Sequence, residues 1–200
     1  MISRRVFLSI SAAVIGVSLA AAPAPAAADP AAFIKGMAGR AIDVLKNSNG
    51  DAKTREAEFR KIFRDNFDIE DIGRFVLGIH WRNASPDQRA SYLKEFETYV
   101  VRTYAERLSE YSGEQLEVGR VQGQGEKSFV DSVIRRPGGA PPIRIVWEVE
   151  KRGGGHKVVD LKIENVSMSQ TQRSDFSSFI SQNGGNVDAL IARLKQFNSR

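Results

Sequence analysis

The chain has 200 residues, a formal net charge of +5 and no cysteine. This length suits one domain, and 42% hydrophobic with 26% charged residues excludes collagen-like and wholly disordered proteins. The absence of cysteine excludes disulfide scaffolds and thiol nucleophiles, and two histidines are too few for a multi-histidine metal centre.

The first 28 residues have the three parts of an export signal. Arg4 and Arg5 precede an apolar run over 6–22, and small residues at 26–28 supply a cleavage site. The paired arginines are typical of a twin-arginine signal. An uncleaved anchor is the alternative, although the run is at the lower edge of a spanning length. We therefore expect cleavage after Ala28 and one soluble, exported domain over 29–200.

Helical periodicity dominates the first half of the remaining chain. Apolar spacing predicts helices over about 33–45 and 54–66, and a short one from 69 that ends at Gly78. Ser85 to Gln88 has the N-cap, N1 proline and capping-box partner of a helix start, and the pattern continues to Tyr111. The apolar arc of this long helix is wider than a surface helix needs. It either packs on a sheet or lines a cavity.

The period changes to two from Gln115 onwards. Four strands are predicted, marked by Leu116/Val118, Phe129/Val133, Ile143 to Val149 and Val159 to Ile163. Short connections favour an antiparallel meander with one face in water. Helical spacing resumes near Arg173 and again after Asn186. The predicted fold class is α+β, with the helices packed on one side of a four-stranded antiparallel sheet.

The sequence contains no pattern typical of catalysis. His80 has no acidic partner at helical spacing, and His156 follows three glycines in a predicted turn, where we expect it to be exposed. No nucleophile elbow is present. We expect no cofactor and no metal. The basic residues over 55–64 are interleaved with acidic ones, which indicates a solvated helix face and no nucleic-acid partner.

Several segments resemble the MlaC (toluene-tolerance) family in order and spacing, across nearly all of 30–197. They are Phe75 to Arg82, the capped helix with Phe96, Tyr104 and Tyr111, Val158 to Leu161, Glu164 to Ser167, Arg173 to Phe176, and Gly185 to Leu194. One departure is His156-Lys157, where many members have Trp-Lys at the start of the fourth strand. No role is therefore carried over to that tryptophan position.

The resemblance implies a periplasmic lipid carrier rather than an enzyme. Such proteins hold the acyl chains of a phospholipid in an apolar pocket between sheet and helices. They exchange it between an outer-membrane lipoprotein complex and an inner-membrane ABC transporter with an MCE-domain protein. Related members belong to hopanoid pathways, so a hopanoid is the alternative cargo.

Apolar residues on both sides of the predicted pocket are the expected lipid-binding set. These are Phe75, Leu77, Trp81, Phe96, Tyr99, Val100, Tyr104, Val133, Ile145, Trp147, Leu161, Met168, Phe176 and Ile180. Three arginines are candidates for a phosphate at the pocket mouth, namely Arg82, Arg144 and Arg173.

Two other classes of function stay open at this point. An isomerase or dehydratase with a conical pocket could use Asp131 or Asp160, two carboxylates in the predicted strands. A structural adaptor of an envelope transporter would bind its partners even with the pocket filled.

Overall fold

A computed structural model describes residues 29–47, 51–108 and 111–200, and the predicted export signal at 1–28 lies outside them. The described residues form seven α-helices, one 3-10 turn and a five-stranded antiparallel sheet. The helices are α1 (Pro30–Asn47), α2 (Ala52–Asn66), α3 (Ile69–Leu77), α4 (His80–Asn83), α5 (Pro86–Leu108), α6 (Met168–Gln182) and α7 (Val187–Asn198). The strands are β1 (Gln115–Gln124), β2 (Lys127–Arg135), β3 (Ile143–Arg152), β4 (Gly155–Ile163) and β5 (Val166–Ser167).

Side-chain caps fix where the helices begin. The predicted capping box opens α5, because Ser85 N–H donates to Gln88 Oε1 at 2.9 Å and Gln88 N–H donates to Ser85 Oγ at 3.1 Å. Helix α5 ends at Leu108, three residues before the predicted end. Helix α6 begins at Met168 instead of Arg173, because the Ser167 hydroxyl accepts the Gln170 N–H at 3.1 Å and caps the earlier turn.

The strands form a meander in the order β1-β2-β3-β4-β5. The four predicted strands are present, but the count of four is wrong. The short strand β5 pairs with the end of β4 across a tight turn in which Glu164 and Asn165 have φ of 47° and 66°. Such turns usually carry glycine at these positive φ values, so Glu164 and Asn165 are a weak signal for this hairpin.

The two faces of the sheet have different partners. On the inner face, apolar residues of β2, β3 and β4 pack under α1 in a sheet core of Ile34, Met37, Val130, Val149 and Val158. The outer face carries cross-strand ion pairs, including Lys127 with Glu148 at 2.7 Å and with Glu150 at 2.9 Å. The prediction of one polar face is therefore confirmed.

His156 is buried, contrary to the expectation of an exposed turn residue. Its cross-strand partner is Lys151, so it lies on the same inner face as Val158 two residues later. The imidazole packs 5.7 Å from the ring of Phe33 on α1. Burial lowers the pKa of His156, the positive charge of Lys151 lowers it further, and Asp29 opposes the shift.

A second core is made only of helices. It joins α3, α5, α6 and α7 through Val76, Leu77, Tyr92, Phe96, Phe176, Ile180, Val187, Leu190, Ile191 and Leu194. Tyr92 is fully buried and donates its hydroxyl to the Gly73 carbonyl at 3.0 Å, and burial raises its pKa well above the usual value. A Cβ at Gly73 would lie 2.8 Å from the Leu93 side chain. Glycine therefore allows α3 and α5 to approach closely.

Polar contacts tie the helices to β4. Lys157 Nζ donates to the last carbonyls of α2, at Arg64 and Asp65, both at 2.9 Å. The N–H of Asp68 donates to the Val158 carbonyl at 3.0 Å. These bonds hold the α2–α3 corner against the strand.

Candidate functional site

The sheet core and the helical core are separate packing units. Helix α5 packs mainly on α7, with α2 and α3 as its other main partners. Among the residues that the structure describes, no strand is one of its main partners. The wide apolar arc of this helix is therefore shared among neighbouring helices.

Some inward-facing apolar residues belong to neither core, and we call them the inter-core residues. Ile145 is buried, and Tyr104, Leu161 and Met168 are half-buried, but none is a member of either cluster. Protein interiors are close-packed, so inward-facing apolar side chains outside the cores are typical of a surface that a ligand covers.

Trp147 stands at the edge of the sheet core beside these residues. Its cross-strand neighbour is Leu161, so both side chains share the inner face. The indole N–H donates to Ser132 Oγ at 2.8 Å, and the Ser132 hydroxyl donates to the Ile145 carbonyl at 3.4 Å. Because the sheet satisfies both polar groups, Trp147 presents only its apolar ring to the interior.

A row of aromatic rings runs from α5 towards the sheet. Tyr104 on α5 lies 6.3 Å from the ring of Phe63 on α2, which stacks on Phe67 at 4.0 Å. Phe67 in turn forms a bridge with Val158 of β4. The helical spacing over 54–66 predicted a buried side chain at Phe63, and Phe67 lies beyond that predicted helix, so neither residue was assigned to a site.

Other residues of the expected set are packed into the helical core. Leu77 and Ile180 have no accessible surface, and Phe96 is 2% exposed. In this structure these three residues therefore contribute to the helical core and offer almost no accessible surface. Val100 is half-buried at the edge of the same core.

Val133 lies on the wrong side of the sheet for a shared pocket. Its cross-strand partner is Arg144, whereas Ser132 faces Ile145 and Val130 faces Trp147. Val133 therefore projects from the outer face, opposite Ile145 and Trp147. The sequence-based assignment of Val133 to the same surface is wrong.

Phe75 and Trp81 each contact the guanidinium group of an arginine through the aromatic ring. Phe75 is 37% exposed and lies 4.9 Å from the guanidinium carbon of Arg173. Trp81 is half-buried at the edge of the helical core, with the guanidinium carbon of Arg89 at 5.3 Å.

The three candidate arginines do not meet at one mouth. Arg144 is engaged with Glu164, which accepts its backbone N–H at 2.6 Å and its guanidinium at 3.1 Å. These bonds lower the pKa of Glu164. Arg82 is exposed on α4, and Arg173 covers Phe75. No phosphate site is formed by the three together.

The two carboxylates considered for catalysis are held in structural contacts. Asp160 accepts the Ser167 hydroxyl at 2.6 Å and the Ser169 N–H at 3.1 Å, which joins β4 to the start of α6. Asp131 lies 3.6 Å from the guanidinium of Arg120. Within the described ranges, no group of three or more potential ligand residues is placed to hold a metal ion.

An open cleft of about 470 Å³ lies between α5, α6 and α7. Two residues of the expected set, Tyr99 and Phe176, line it and contact each other at 5.9 Å between ring centroids. Its other apolar walls are Phe179, Leu190, Leu194 and Phe197. The expected lipid-binding residues are therefore divided between this cleft, the inter-core region, the helical core and the surface.

Comparison with known proteins identifies the family. The family model described as MlaC protein matches residues 35–196. The chain belongs to the MlaC family. The resemblance seen in the sequence is thus confirmed.

Two curated relatives have names that concern lipid transport or solvent tolerance. The intermembrane phospholipid transport system binding protein MlaC of Haemophilus influenzae is 26% identical over 132 residues, which is 64% of this chain and 61% of that protein. The chain thus spans about three fifths of the length of that relative. The toluene tolerance protein ttg2D of Pseudomonas putida is 23% identical over 173 residues, covering 83% of this chain and 80% of that protein.

A solved structure of a phospholipid-binding protein has the same fold. The phospholipid-binding protein from Ralstonia solanacearum, determined in complex with a phospholipid, superimposes with a TM-score of 0.77 at 22% identity. The match covers 86% of this chain and 98% of that one. In the part of the chain that the structure describes, no helix is both long and apolar enough to cross a bilayer.

Proposed function

We propose that this MlaC-family protein is a periplasmic lipid carrier, with the acyl chains of a phospholipid between the inner face of the sheet and α5. The observation that carries the proposal is the set of inter-core residues on the sheet and on α5, facing inward without belonging to either core. The names of the relatives, which concern phospholipid binding and transport, support the same cargo.

The physics of lipid transfer explains why no catalytic group is needed. Two acyl chains contain about 30 methylenes, each costing about 0.8 kcal/mol to expose to water, so unassisted desorption costs on the order of 20 kcal/mol. A carrier lowers this cost by offering an apolar surface in place of the bilayer interior.

The proposed lining combines sheet and helix residues. Ile145, Trp147 and Leu161 provide the sheet wall, and Val100 and Tyr104 provide the α5 wall. Met168 at the start of α6 and the stacked pair of Phe63 and Phe67 extend the apolar surface.

Export and partners complete the proposal. Residues 1–28 direct the chain to the periplasm and are removed there. The carrier then exchanges lipid with an outer-membrane lipoprotein complex and with an inner-membrane ABC transporter that bears an MCE-domain protein, as the family resemblance suggests.

Lipid analysis of the protein tests this function. The full chain is expressed in a bacterium, purified from the periplasm without detergent, and examined by native mass spectrometry and by organic extraction. We expect one bound phospholipid per protein, and a hopanoid in its place would change only the identity of the cargo. Lipid-free protein that also takes up no lipid from vesicles would overturn the proposal.

The enzyme alternative has a direct control. Asp131→Asn and Asp160→Asn remove the two strand carboxylates while keeping their size. We expect both variants to carry lipid as the parent protein does, whereas loss of lipid handling in a folded variant would favour a role for the carboxylate.

A further inference from the structure

Two large apolar side chains are exposed where α3 turns into α4. Phe75 is 37% exposed and Ile79 is 67% exposed. The surface of a soluble protein tolerates isolated apolar residues. Phe75 and Ile79, however, are close together in the chain and have arginines beside them. We call Arg74, Phe75, Ile79, Arg82 and Arg173 the α3–α4 corner.

The arginines of the corner have no acidic partner. Among the described residues, no carboxylate lies within ion-pair distance of Arg74, Arg82 or Arg173. The nearest acids along the chain, Asp71, Asp87 and Asp175, are exposed, and Asp71 pairs with Arg152 at 3.0 Å.

The outer face of the sheet shows the contrasting arrangement. There Lys127 contacts two glutamates, and Arg135 lies 3.0 Å from Glu117. These cations are compensated by acids of the same face. The corner instead presents uncompensated positive charge beside apolar side chains.

Gly78 leaves space for the Arg173 side chain in the α3–α4 corner. A Cβ at Gly78 would lie 2.9 Å from Arg173 Nε, and Gly78 has φ of +59°. Glycine therefore provides both the reversal between α3 and α4 and the space for the guanidinium. Arg173 then covers one side of Phe75 at 4.9 Å.

We propose that the α3–α4 corner docks on the surface of an anionic phospholipid bilayer. Guanidinium groups form forked hydrogen bonds to phosphate, and exposed apolar side chains enter the boundary between headgroups and acyl chains. Two apolar residues are few for a protein interface, which buries about 800 Å² on each partner. They are sufficient for a weak membrane contact that basic residues strengthen.

This inference goes beyond the proposed cargo site. The proposed lining consists of buried and half-buried residues, whereas Arg74, Ile79 and Arg82 are exposed. Docking would bring the carrier to the membrane where lipid enters or leaves it.

Vesicle sedimentation with the protein purified from the periplasm tests the docking. The probes are vesicles of phosphatidylglycerol mixed with phosphatidylcholine, and vesicles of phosphatidylcholine alone. We expect binding to the anionic vesicles, weaker binding as salt increases, and little binding to the neutral vesicles.

Three variants locate the binding surface. Each basic residue near an anionic bilayer raises affinity about fivefold, so Arg74→Gln with Arg82→Gln should weaken binding about 30-fold. Ile79→Ser should weaken it about fivefold through the lost apolar contact. The matched control, Lys35→Gln with Lys61→Gln, removes two exposed charges from α1 and α2 and should change binding less than about twofold.

The outcomes separate docking from carriage. The proposal is overturned if the parent protein does not bind anionic vesicles, as expected of a surface that contacts a protein instead. It is equally overturned if the control variant loses as much binding as the corner variant, since net charge alone would then explain the binding. Lipid content and lipid uptake are measured on the same samples, so protein that docks but neither carries nor takes up lipid would refute only the proposed function.

Discussion

Leu161 and Val133 offer a matched test of which sheet face holds lipid. Both are half-buried aliphatic residues of one meander, on β4 and β2, which flank β3. Leu161 shares the inner face with Trp147, whereas Val133 projects from the outer face. Leu161→Trp should reduce lipid binding because the indole occupies the space of the acyl chains. Val133→Trp adds an indole on the opposite face and should leave lipid binding unchanged.

The size of the effect follows from the displaced apolar contact. An indole in place of an isobutyl group excludes about three methylenes of lipid, at about 0.8 kcal/mol each. The loss is about 2.4 kcal/mol, which corresponds to about a 50-fold weaker affinity. For a tightly held lipid this change leaves the purified protein loaded, so lipid content alone is too insensitive a measurement.

Competition against vesicles provides the required sensitivity. Labelled phospholipid is equilibrated between protein and an excess of unlabelled vesicles, and the protein-bound fraction gives the partition coefficient. We expect a decrease of about 50-fold for Leu161→Trp and less than about twofold for Val133→Trp. Equal losses in the two variants, or none in either, would refute the placement of lipid on the inner face.

Three further predictions concern the helical core and His156. Gly73→Ala would place a Cβ 2.8 Å from the Leu93 side chain and should lower the free energy of unfolding, measured in urea, by about 1–3 kcal/mol. The control Gly39→Ala, whose Cβ would have nothing within 4 Å, should raise the free energy of unfolding by up to about 1 kcal/mol. Equal effects of the two substitutions would contradict the close approach of α3 and α5. Tyr92→Phe removes a buried hydrogen bond to the Gly73 carbonyl and should cost about 1 kcal/mol in the same assay, and a neutral result would show that this bond contributes little. Burial lowers the pKa of His156 below its ordinary value near 6.5, so the unfolded chain binds the proton more readily than the folded protein does. The free energy of unfolding is therefore expected to fall as the pH decreases through the folded-state pKa. The urea midpoints at about pH 7.5 and about pH 5.5 should differ less in His156→Gln than in the parent protein.

The sequence predicted β2 but not which of its faces is buried. Along this strand Phe129 and Val133 flank Asp131 on one face, and Val130 and Ile134 flank Ser132 on the other. Each face thus has two apolar residues and one polar residue, and alternation alone cannot distinguish them. Burying an aspartate costs far more than burying a serine with a partner. The Asp131/Ser132 pair was therefore the signal that could have identified the inner face.

The wide arc of α5 shows a different limit of periodicity. The spacing correctly predicted a long amphipathic helix and its capped start. It could not indicate that Tyr92 and Phe96 pack on helices, while Tyr104 lies nearer to the sheet and contacts Phe63. These assignments depend on residues far apart in the chain. The predicted pocket set therefore mixed residues of the helical core with residues that belong to neither core.

Two separate cores would allow the chain to remain folded around the proposed lipid site when no lipid is bound. A polar contact of β4 joins the two units, because Asp160 accepts hydrogen bonds from Ser167 and Ser169 at the start of α6. Leu161 belongs to neither core, so Leu161→Trp should change the free energy of unfolding of lipid-free protein by less than about 1 kcal/mol. Bound lipid, in contrast, stabilises only the folded state, and delipidation should lower the melting temperature of the parent protein more than that of the variant. If the variant instead unfolds as readily as a core mutant, the inner face around Leu161 is solidly packed and lipid must be held elsewhere.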